Sequence, residues 1–384
     1  MSFAEYQFGI YLKGLEGETP SLPMRVDQLE QAAREALDEK AYWYVAGGAG
    51  DDSMRANREA FYRWRILPRM LRDVASRDLS LELLGQSLAA PLLLAPIGVQ
   101  EIVHPEAELA VARAAAALGI PMVLSTVSSV PMERVGEIMG EVPHWFQLYW
   151  PRDREITRSF LRRAESAGFG ALVVTLDTRF LAWRERDLQQ AFLPFLRGQG
   201  LANYATDPVF RDGLASPPEE DMGPAIERWS AIYSDPSQTW DDLAFLRDST
   251  RLPIVLKGIL HPEDAVRAAD LGMDALIVSN HGGRQVEGAV AALDALAEVS
   301  CAVGDRLPLL FDSGIRHGGD ILKALALGAR AVLLGRPYIW GLALAGQDGV
   351  REVLQRLLAD LDLNLALSGC RTLAEVNRGL LRQA

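Results

Sequence analysis

Lys257, His281 and Arg284 lie at or just past the ends of two short apolar runs within PIVLKGILHPEDAVRAADLGMDALIVSNHGGRQ, residues 253–285. The first run, 253–256, ends in Lys257; the second, 275–278, ends in Ser279, Asn280 and His281. Between them residues 261–271 carry the breaker, acid and alanine pattern of a short helix, so the unit reads strand, helix, strand. Such a crossover makes the two strands parallel, and Lys257 and His281 then leave the same edge of one sheet. Gly282 and Gly283 let the backbone turn there, with Arg284 next in line. A fixed ammonium, an imidazole able to take a proton near neutral pH and a guanidinium able to grip an anion converge. Taken singly, each has a plainer explanation, a satisfied loop histidine or a solvated strand end. Their spacing around one parallel unit is what argues for chemistry.

The elements that would position them extend along most of the chain. Apolar runs fall at 91–99, 121–126, 144–149, 171–177, 253–257, 275–280, 308–312 and 331–335, and helical patterns follow at about 105–118, 131–139, 153–167, 262–271, 289–303, 318–327 and from Tyr338 onward. This is the count of a (βα)8 TIM barrel, with an open doubly wound sheet as the alternative. The fourth connection, 178–250, is far longer than an ordinary loop. Residues 1–90 form a preface: an amphipathic helix over 24–41 running into YWYVAGGAGDD, then a hairpin over 79–89, broken by Gly85, that would close one end of the barrel. The reading is one domain, 1–384, with the barrel at 91–384 and a long lid at 178–250.

Barrels of this kind often hold a phosphate at the loops after strands seven and eight. Those loops read DSGIRHGGD and GRP. Gly314, Gly318 and Gly319 allow close backbone approach, Arg316 and Arg336 supply charge, and a helix starting near Gly318 would aim its amides at the anion. Polar groups also end the other strands: Gly98, then Ser125 and Thr126, then Gln147 and Tyr149, then Thr175 and Asp177. Together with Lys257 and His281 they make a ring of hydrogen-bonding groups wide enough for a planar cofactor that carries a phosphate.

Composition narrows the partners. A net charge of −12 with no basic stripe argues against nucleic acid, and 49% hydrophobic residues suffice for a large core. Cys301 and Cys370 show no pairing with histidine that suggests a metal, which points to a reducing cytoplasm and no metal site. The first residues, MSFAEYQFGIYLKG, lack the apolar core of a secretory signal, and no run approaches the ~18 apolar residues of a membrane span.

The motifs YVAGGAGDD, LLAPIGV, FQLY, VTLDT, LKG, SNHGGRQ, DSGIR, GRP and LSGCRTLAE resemble those of the FMN-dependent L-2-hydroxy-acid oxidases, the family of glycolate oxidase and lactate oxidase, over nearly the whole chain. PRML, RDLS, PFLRGQGLANYATDPVF and GRPYIWG are most similar to its lactate 2-monooxygenase branch. The resemblance implies FMN, with Lys257 beside the flavin N1 and C2 carbonyl, Ser125, Gln147 and Thr175 on the pyrimidine edge, and Pro96 and Gly98 facing the ring. It places Ser279 with the cofactor, Asp312 on the ribityl chain, and Gly314, Arg316, Gly335 and Arg336 on the phosphate. It implies Arg184 and Arg284 as a carboxylate clamp, Tyr44 and Tyr149 as hydroxyl contacts, His281 as base and Asp177 as its orienting partner. Tyr204, within the long segment, would close over the substrate. Where the family's oxidases have proline and glycine, this chain reads RFLAWRERD; Val127 replaces a tryptophan of glycolate oxidase, and Gly98 replaces the usual alanine. The expected reaction is oxidation of a small L-2-hydroxy acid, L-lactate foremost, by oxygen, ending either in acetate, CO2 and water or in the keto acid and hydrogen peroxide. A homotetramer or larger homo-oligomer is also implied. Two other readings are a non-catalytic flavin- or phosphate-binding barrel and a membrane-coupled quinone dehydrogenase.

Overall fold

The computed structural model describes residues 2–384. Eight strands close into a barrel in which every neighbouring pair is parallel: β1 Leu92–Leu94, β2 Met122–Ser125, β3 His144–Leu148, β4 Leu172–Thr175, β5 Ile254–Ile259, β6 Ala275–Val278, β7 Leu309–Phe311 and β8 Ala331–Leu334. The helices that pack outside follow in turn: α1 Ala107–Leu118, α2 Met132–Met139, α3 Arg154–Ser166, α4 Leu243–Ser249, α5 Pro262–Asp270, α6 Ala292–Val303, α7 Gly318–Ala326 and α8 Arg336–Leu367. The barrel, not the open sheet, is the architecture. Most strands are shorter than their apolar runs, because the polar ends of the runs bend away as loops: after β1 the chain leaves the ladder well before Val99, which is left-handed at φ 55°.

Alternation along each strand sorts its side chains. Leu93, Val123, Trp145, Val173, Val255, Ile277, Leu310 and Leu333, one from each strand, share the barrel interior, while neighbours such as Leu92, Leu124 and Leu256 pack outward beneath the helices. The hairpin preface stoppers this interior. Its strands Leu81–Leu83 and Gln86–Leu88 pair across Leu84 and Gly85, both at positive φ, and Leu83 and Leu88 join the interior cluster. Gln86 fixes the fit, accepting from Trp145 Nε1 at 2.9 Å and donating to the Gly170 carbonyl at 2.9 Å.

The single helix expected over 24–41 is two, Val26–Ala36 and Glu39–Ala46. Leu37 is extended and the Asp38 carboxylate caps the second helix through the Lys40 amide at 3.0 Å, so a side chain that competes with the backbone breaks the run. The long fourth connection is present, and it divides physically. Residues 243–249 belong to α4, the barrel helix, and 201–207 are anchored to the barrel. Asn203, fully buried, donates to the Ser125 and Thr126 carbonyls at 3.3 and 3.0 Å and accepts from the Met132 amide at 2.9 Å. Asp207 caps its own short helix and holds Ser159 and Arg163 of α3. The large apolar side chains exposed here, Phe180, Leu181, Trp183, Leu188 and Leu196, all fall in its first part, before the anchored stretch. Asn203→Ala strands three buried backbone groups and is expected to lower unfolding stability by about 3 kcal/mol in denaturant titration; a change within ±0.5 kcal/mol would show the anchor to be idle.

Candidate active site

Two residues beyond six of the eight interior hydrophobes, the same alternation brings a polar side chain to the C-terminal rim; after Leu93 and Leu333 it brings Ala95 and Gly335. Ser125 stands over Val123, Gln147 over Trp145, Thr175 over Val173, Lys257 over Val255, Ser279 over Ile277 and Asp312 over Leu310. They are buried and bonded in two sets. Ser125 Oγ donates to Gln147 Oε1 at 3.1 Å and Gln147 Nε2 to Thr175 Oγ1 at 3.0 Å. Lys257 Nζ donates to Ser279 Oγ at 3.0 Å and lies 3.2 Å from Asp312 Oδ2. Burial opposes the Lys257 charge, but Asp312 and Asp177 outweigh it and hold the pKa above the ordinary lysine value.

A cavity of about 1210 Å³, counting its open mouth, sits on this rim. Pro96, Gly98, Lys257, Asp312, Gly314, Arg316, Gly335 and Arg336 line it, as do Tyr44, Tyr149, Arg184, His281 and Arg284. Ser125, Gln147 and Ser279 lie in the ring without lining the cavity, and Thr175 borders a second, neighbouring one.

His281 owes its orientation to a strained turn. It is left-handed at φ 57°, a conformation costly for any residue but glycine, and Gly282 and Gly283 follow at φ 67° and 76°. Its amide donates to Ser279 Oγ at 3.0 Å, and the Asn57–Asn280 pair, with two reciprocal bonds of 2.8 Å, clamps the loop from the N-terminal segment. Nδ1 lies 2.8 Å from Asp177 Oδ1. With Nδ1–H donated to that carboxylate, Nε2 is left as the free lone pair. Burial lowers the His281 pKa against the pull of Asp177, and Lys257 adds to the lowering. Burial works against the Asp177 charge as well, but His281 and Lys257 prevail and bring its pKa down to about 2. The ring is thus a neutral base at pH 7.

Arg184 and Arg284 approach from different elements. Arg184 donates to the Arg284 carbonyl at 3.2 Å and to Gln285 Oε1 at 2.8 Å, while Arg284 Nη1 donates to the carbonyls of Val45 and Gly47 at 3.2 and 2.5 Å. Arg336 binds the carbonyls of Val45, Gly282 and Gly47, each at 3.0 Å, and Arg316 that of Ile315 at 2.9 Å. Among the described residues Arg284, Arg316 and Arg336 make no ion pair with a carboxylate. Desolvation in the recess, reinforced by Arg184, lowers Arg284 to about 10; the same desolvation, reinforced by Arg284 and Arg316, lowers Arg336 to about 9. Clustered cations short of counter-charge are costly, and a carboxylate and a phosphate are the ligands that would relieve them. Beside a hydrogen-bonding ring with a central ammonium, this donor set fits a phosphorylated flavin. Burial also raises Tyr149, and it raises Tyr44 to about 12, so both hydroxyls keep their protons as donors.

Two placements differ from expectation. Tyr204 does not reach the cavity: it is 1% exposed and wedged between Phe160 and Phe210, at ring distances of 4.9 and 5.3 Å, because the Asn203 and Asp207 anchors pin its short helix to α3 and the strand ends. The start of α7 does not offer its first amide to an anion, since Asp360 takes the Gly318 amide at 2.6 Å and Asp320 takes those of Arg316 and His317. Gly318 is needed for packing instead, where a Cβ would come within 2.3 Å of the Leu361 nitrogen of α8, and Gly319 faces Asn364 and Ile66.

Sequence reading missed Gln285, which ties Arg184 to the Asp177 carbonyl at 2.7 Å. It also missed Ser313, which links Asp312 to the Gly282 amide, and Phe195, Trp229 and Tyr233, which line the cavity from the long insertion. Gln285 lay within SNHGGRQ and could have been weighed; the aromatics carried no signal, because only folding brings the insertion to the rim.

A family model for FMN-dependent dehydrogenases matches residues 33–383. An FMN-dependent alpha-hydroxy acid dehydrogenase of Penicillium citrinum is 45% identical over all of this chain and 96% of its own length. An L-lactate oxidase of Lysinibacillus sphaericus is 44% identical over 94% of this chain and 92% of its own. A crystal structure of mandelate oxidase superposes with a TM-score of 0.83 at 40% identity, covering 94% of this chain and 98% of that one. With its parallel barrel, its ring of polar strand ends and its His281–Asp177 pair beside two arginines, the chain belongs to the FMN-dependent dehydrogenase family, whose members among these relatives are 2-hydroxy-acid oxidases and dehydrogenases.

Proposed function

We propose that this protein oxidises a small L-2-hydroxy acid, L-lactate foremost, with oxygen as acceptor, and that the keto product is held long enough to be decarboxylated. Lactate and O2 then become acetate, CO2 and water, which balances without a further reductant. The observation that carries the reading is one cavity in which a neutral histidine, oriented by Asp177 at 2.8 Å, stands with Arg184 and Arg284.

FMN fits the residues present. Lys257, Ser125, Gln147, Thr175 and Ser279 would hold the ring, with Pro96 and Gly98 against its face, Asp312 would take the ribityl chain, and Gly314, Arg316, Gly335 and Arg336 the phosphate. When bound, FMN supplies the two-electron acceptor and the centre at which oxygen is reduced. The protein's share is binding, orientation and proton transfer. Arg184 and Arg284 bind the substrate carboxylate, and the hydroxyls of Tyr44 and Tyr149 donate to substrate oxygens. His281 Nε2 accepts a proton from the substrate, and Asp177 stabilises the imidazolium that results. Lys257, charged and buried, would place a fixed positive charge beside the bound ring.

Two features favour decarboxylation. Gly98 is the residue type of the lactate 2-monooxygenase branch, where the family's oxidases mostly carry alanine, and it is packed so that a Cβ would stand 2.5 Å from the Val127 carbonyl oxygen. The insertion walls one side of the cavity and can slow product escape. The second reading, an oxidase that releases pyruvate and hydrogen peroxide, is favoured by the likeness to L-lactate oxidase. Aerobic turnover of L-lactate, with and without catalase, separates them. Acetate with no free peroxide is the expected result; pyruvate with an equal amount of peroxide would make the protein an oxidase.

A further inference from the structure

Arg184 reaches the cavity from a stretch that does little to hold itself in place. Residues 176–184 are neither helix nor strand, and from Asp177 to Trp183 no backbone group bonds another among the described residues. Packing adds little, since Phe180 and Trp183 are 67% and 75% exposed. Arg179 ties the middle of the stretch to the carbonyls of Pro236 and Gln238, which belong to the same insertion. The link to the barrel that spans the whole stretch is one side chain, Gln285, on the loop after β6. Its Oε1 accepts from Arg184 Nη2 at 2.8 Å, and its Nε2 donates to the carbonyls of Asp177 at 2.7 Å and Phe180 at 3.5 Å. One amide thus pins the start, the middle and the end of the stretch.

The chemistry of the amide suits the task. It turns an acceptor to the guanidinium and a donor to the carbonyls without bringing a charge. A carboxylate in its place would pair with Arg184 and compete with an incoming anion. The other acceptor of Arg184 is the Arg284 carbonyl, 3.2 Å from Nε, while the Asp187 carboxylate stands 3.8 Å from Nη1, beyond hydrogen-bond reach. Gln285 itself does not line the cavity. We infer that Gln285 is a positioning residue, which holds Arg184 in register with Arg284 and with the Asp177–His281 pair so that a substrate carboxylate meets a preformed clamp. The inference rests on the 2-hydroxy-acid reading and deepens it.

The test uses the FMN-loaded full chain. Pyruvate, a carboxylate that binds without being oxidised, is titrated by its effect on the flavin absorption spectrum, and L-lactate turnover is followed by oxygen uptake. Gln285→Met, of similar length and without hydrogen bonds, is expected to weaken pyruvate about tenfold and raise KM by about as much, with kcat within about threefold. Because Gln285 acts through Arg184, the same substitution in Arg184→Met protein is expected to weaken pyruvate by less than about twofold. Gln285→Glu, nearly isosteric and so the variant to use if the methionine protein misfolds, should weaken pyruvate at least as much by pairing with Arg184. Equal losses with and without Arg184, or a fall in kcat at unchanged KM, would reduce Gln285 to a packing role and overturn the inference. A glutamate variant that binds pyruvate like the native protein would do the same. Bleaching of the native flavin by L-lactate, which needs no variant, tests the parent reading separately. If no 2-hydroxy acid bleaches it, that reading fails and the inference with it; if lactate bleaches it and the two losses are equal, only the role of Gln285 falls.

Discussion

Replacing His281 with glutamine is expected to slow anaerobic bleaching of the flavin by L-lactate about 10³-fold, within the range a positioned base contributes, while FMN remains bound. The reason lies in what the imidazole does that an amide cannot. His281 gives Nδ1–H to Asp177 at 2.8 Å and keeps Nε2 as a lone pair of useful basicity. Glutamine fills similar space but has no such basicity. The pH profile gives an independent readout. Because burial depresses the His281 pKa below its ordinary value of 6.5, the basic form predominates at neutrality. In the native protein kcat/KM should therefore climb with pH along a limb lying below 6.5 and be flat above it. The variant should lose that limb. Rapid bleaching by the glutamine protein would remove His281 from the mechanism.

How much of this was legible beforehand depended on which periodicity carried the information. The barrel was legible because eight apolar runs, each ended by a polar group, follow a period that survives any placement of the loops. The polar residues that end those runs put Ser125, Gln147, Thr175 and Lys257 on one rim before any coordinates, whereas Asp312 joined the site only through the family resemblance. The turn at 281–283 was legible for a different reason, since adjacent glycines mark where a chain can take positive φ. What stayed hidden depended on contacts between distant segments. Nothing local to Gly318 says that Asp360 will claim its amide and that α8 will crowd its Cα. Tyr204 looked like a lid residue because it lies in the insertion, yet Asn203 beside it turns that stretch into a fixed wall. Phe195, Trp229 and Tyr233 are separated in sequence and share a cavity only because that wall folds back over the rim.

Arg284→Met should cut kcat/KM for any 2-hydroxy acid by about 10²-fold, and the folded protein without substrate should be no less stable for the loss. The two effects have a common origin. Arg284 is held by the carbonyls of Val45 and Gly47, so its fork is set before the substrate arrives, yet Arg184 and Arg336 crowd it with like charge and no carboxylate pairs it directly. A substrate carboxylate supplies the missing charge, and charge-assisted bonds of this kind contribute about 1.5–3 kcal/mol each. Two such bonds, discounted for the competing pull of Arg184, leave about 3 kcal/mol, hence the hundredfold. Arg284→Lys should recover only part of it, because an ammonium lacks the planar fork. The carbonyls that lose Arg284 keep Arg336, so methionine strands neither and removes a repulsive charge from the recess. Thermal unfolding together with steady-state kinetics checks both halves. A variant that is clearly less stable, or one with unchanged kcat/KM, would mean that Arg284 serves the fold and not the substrate.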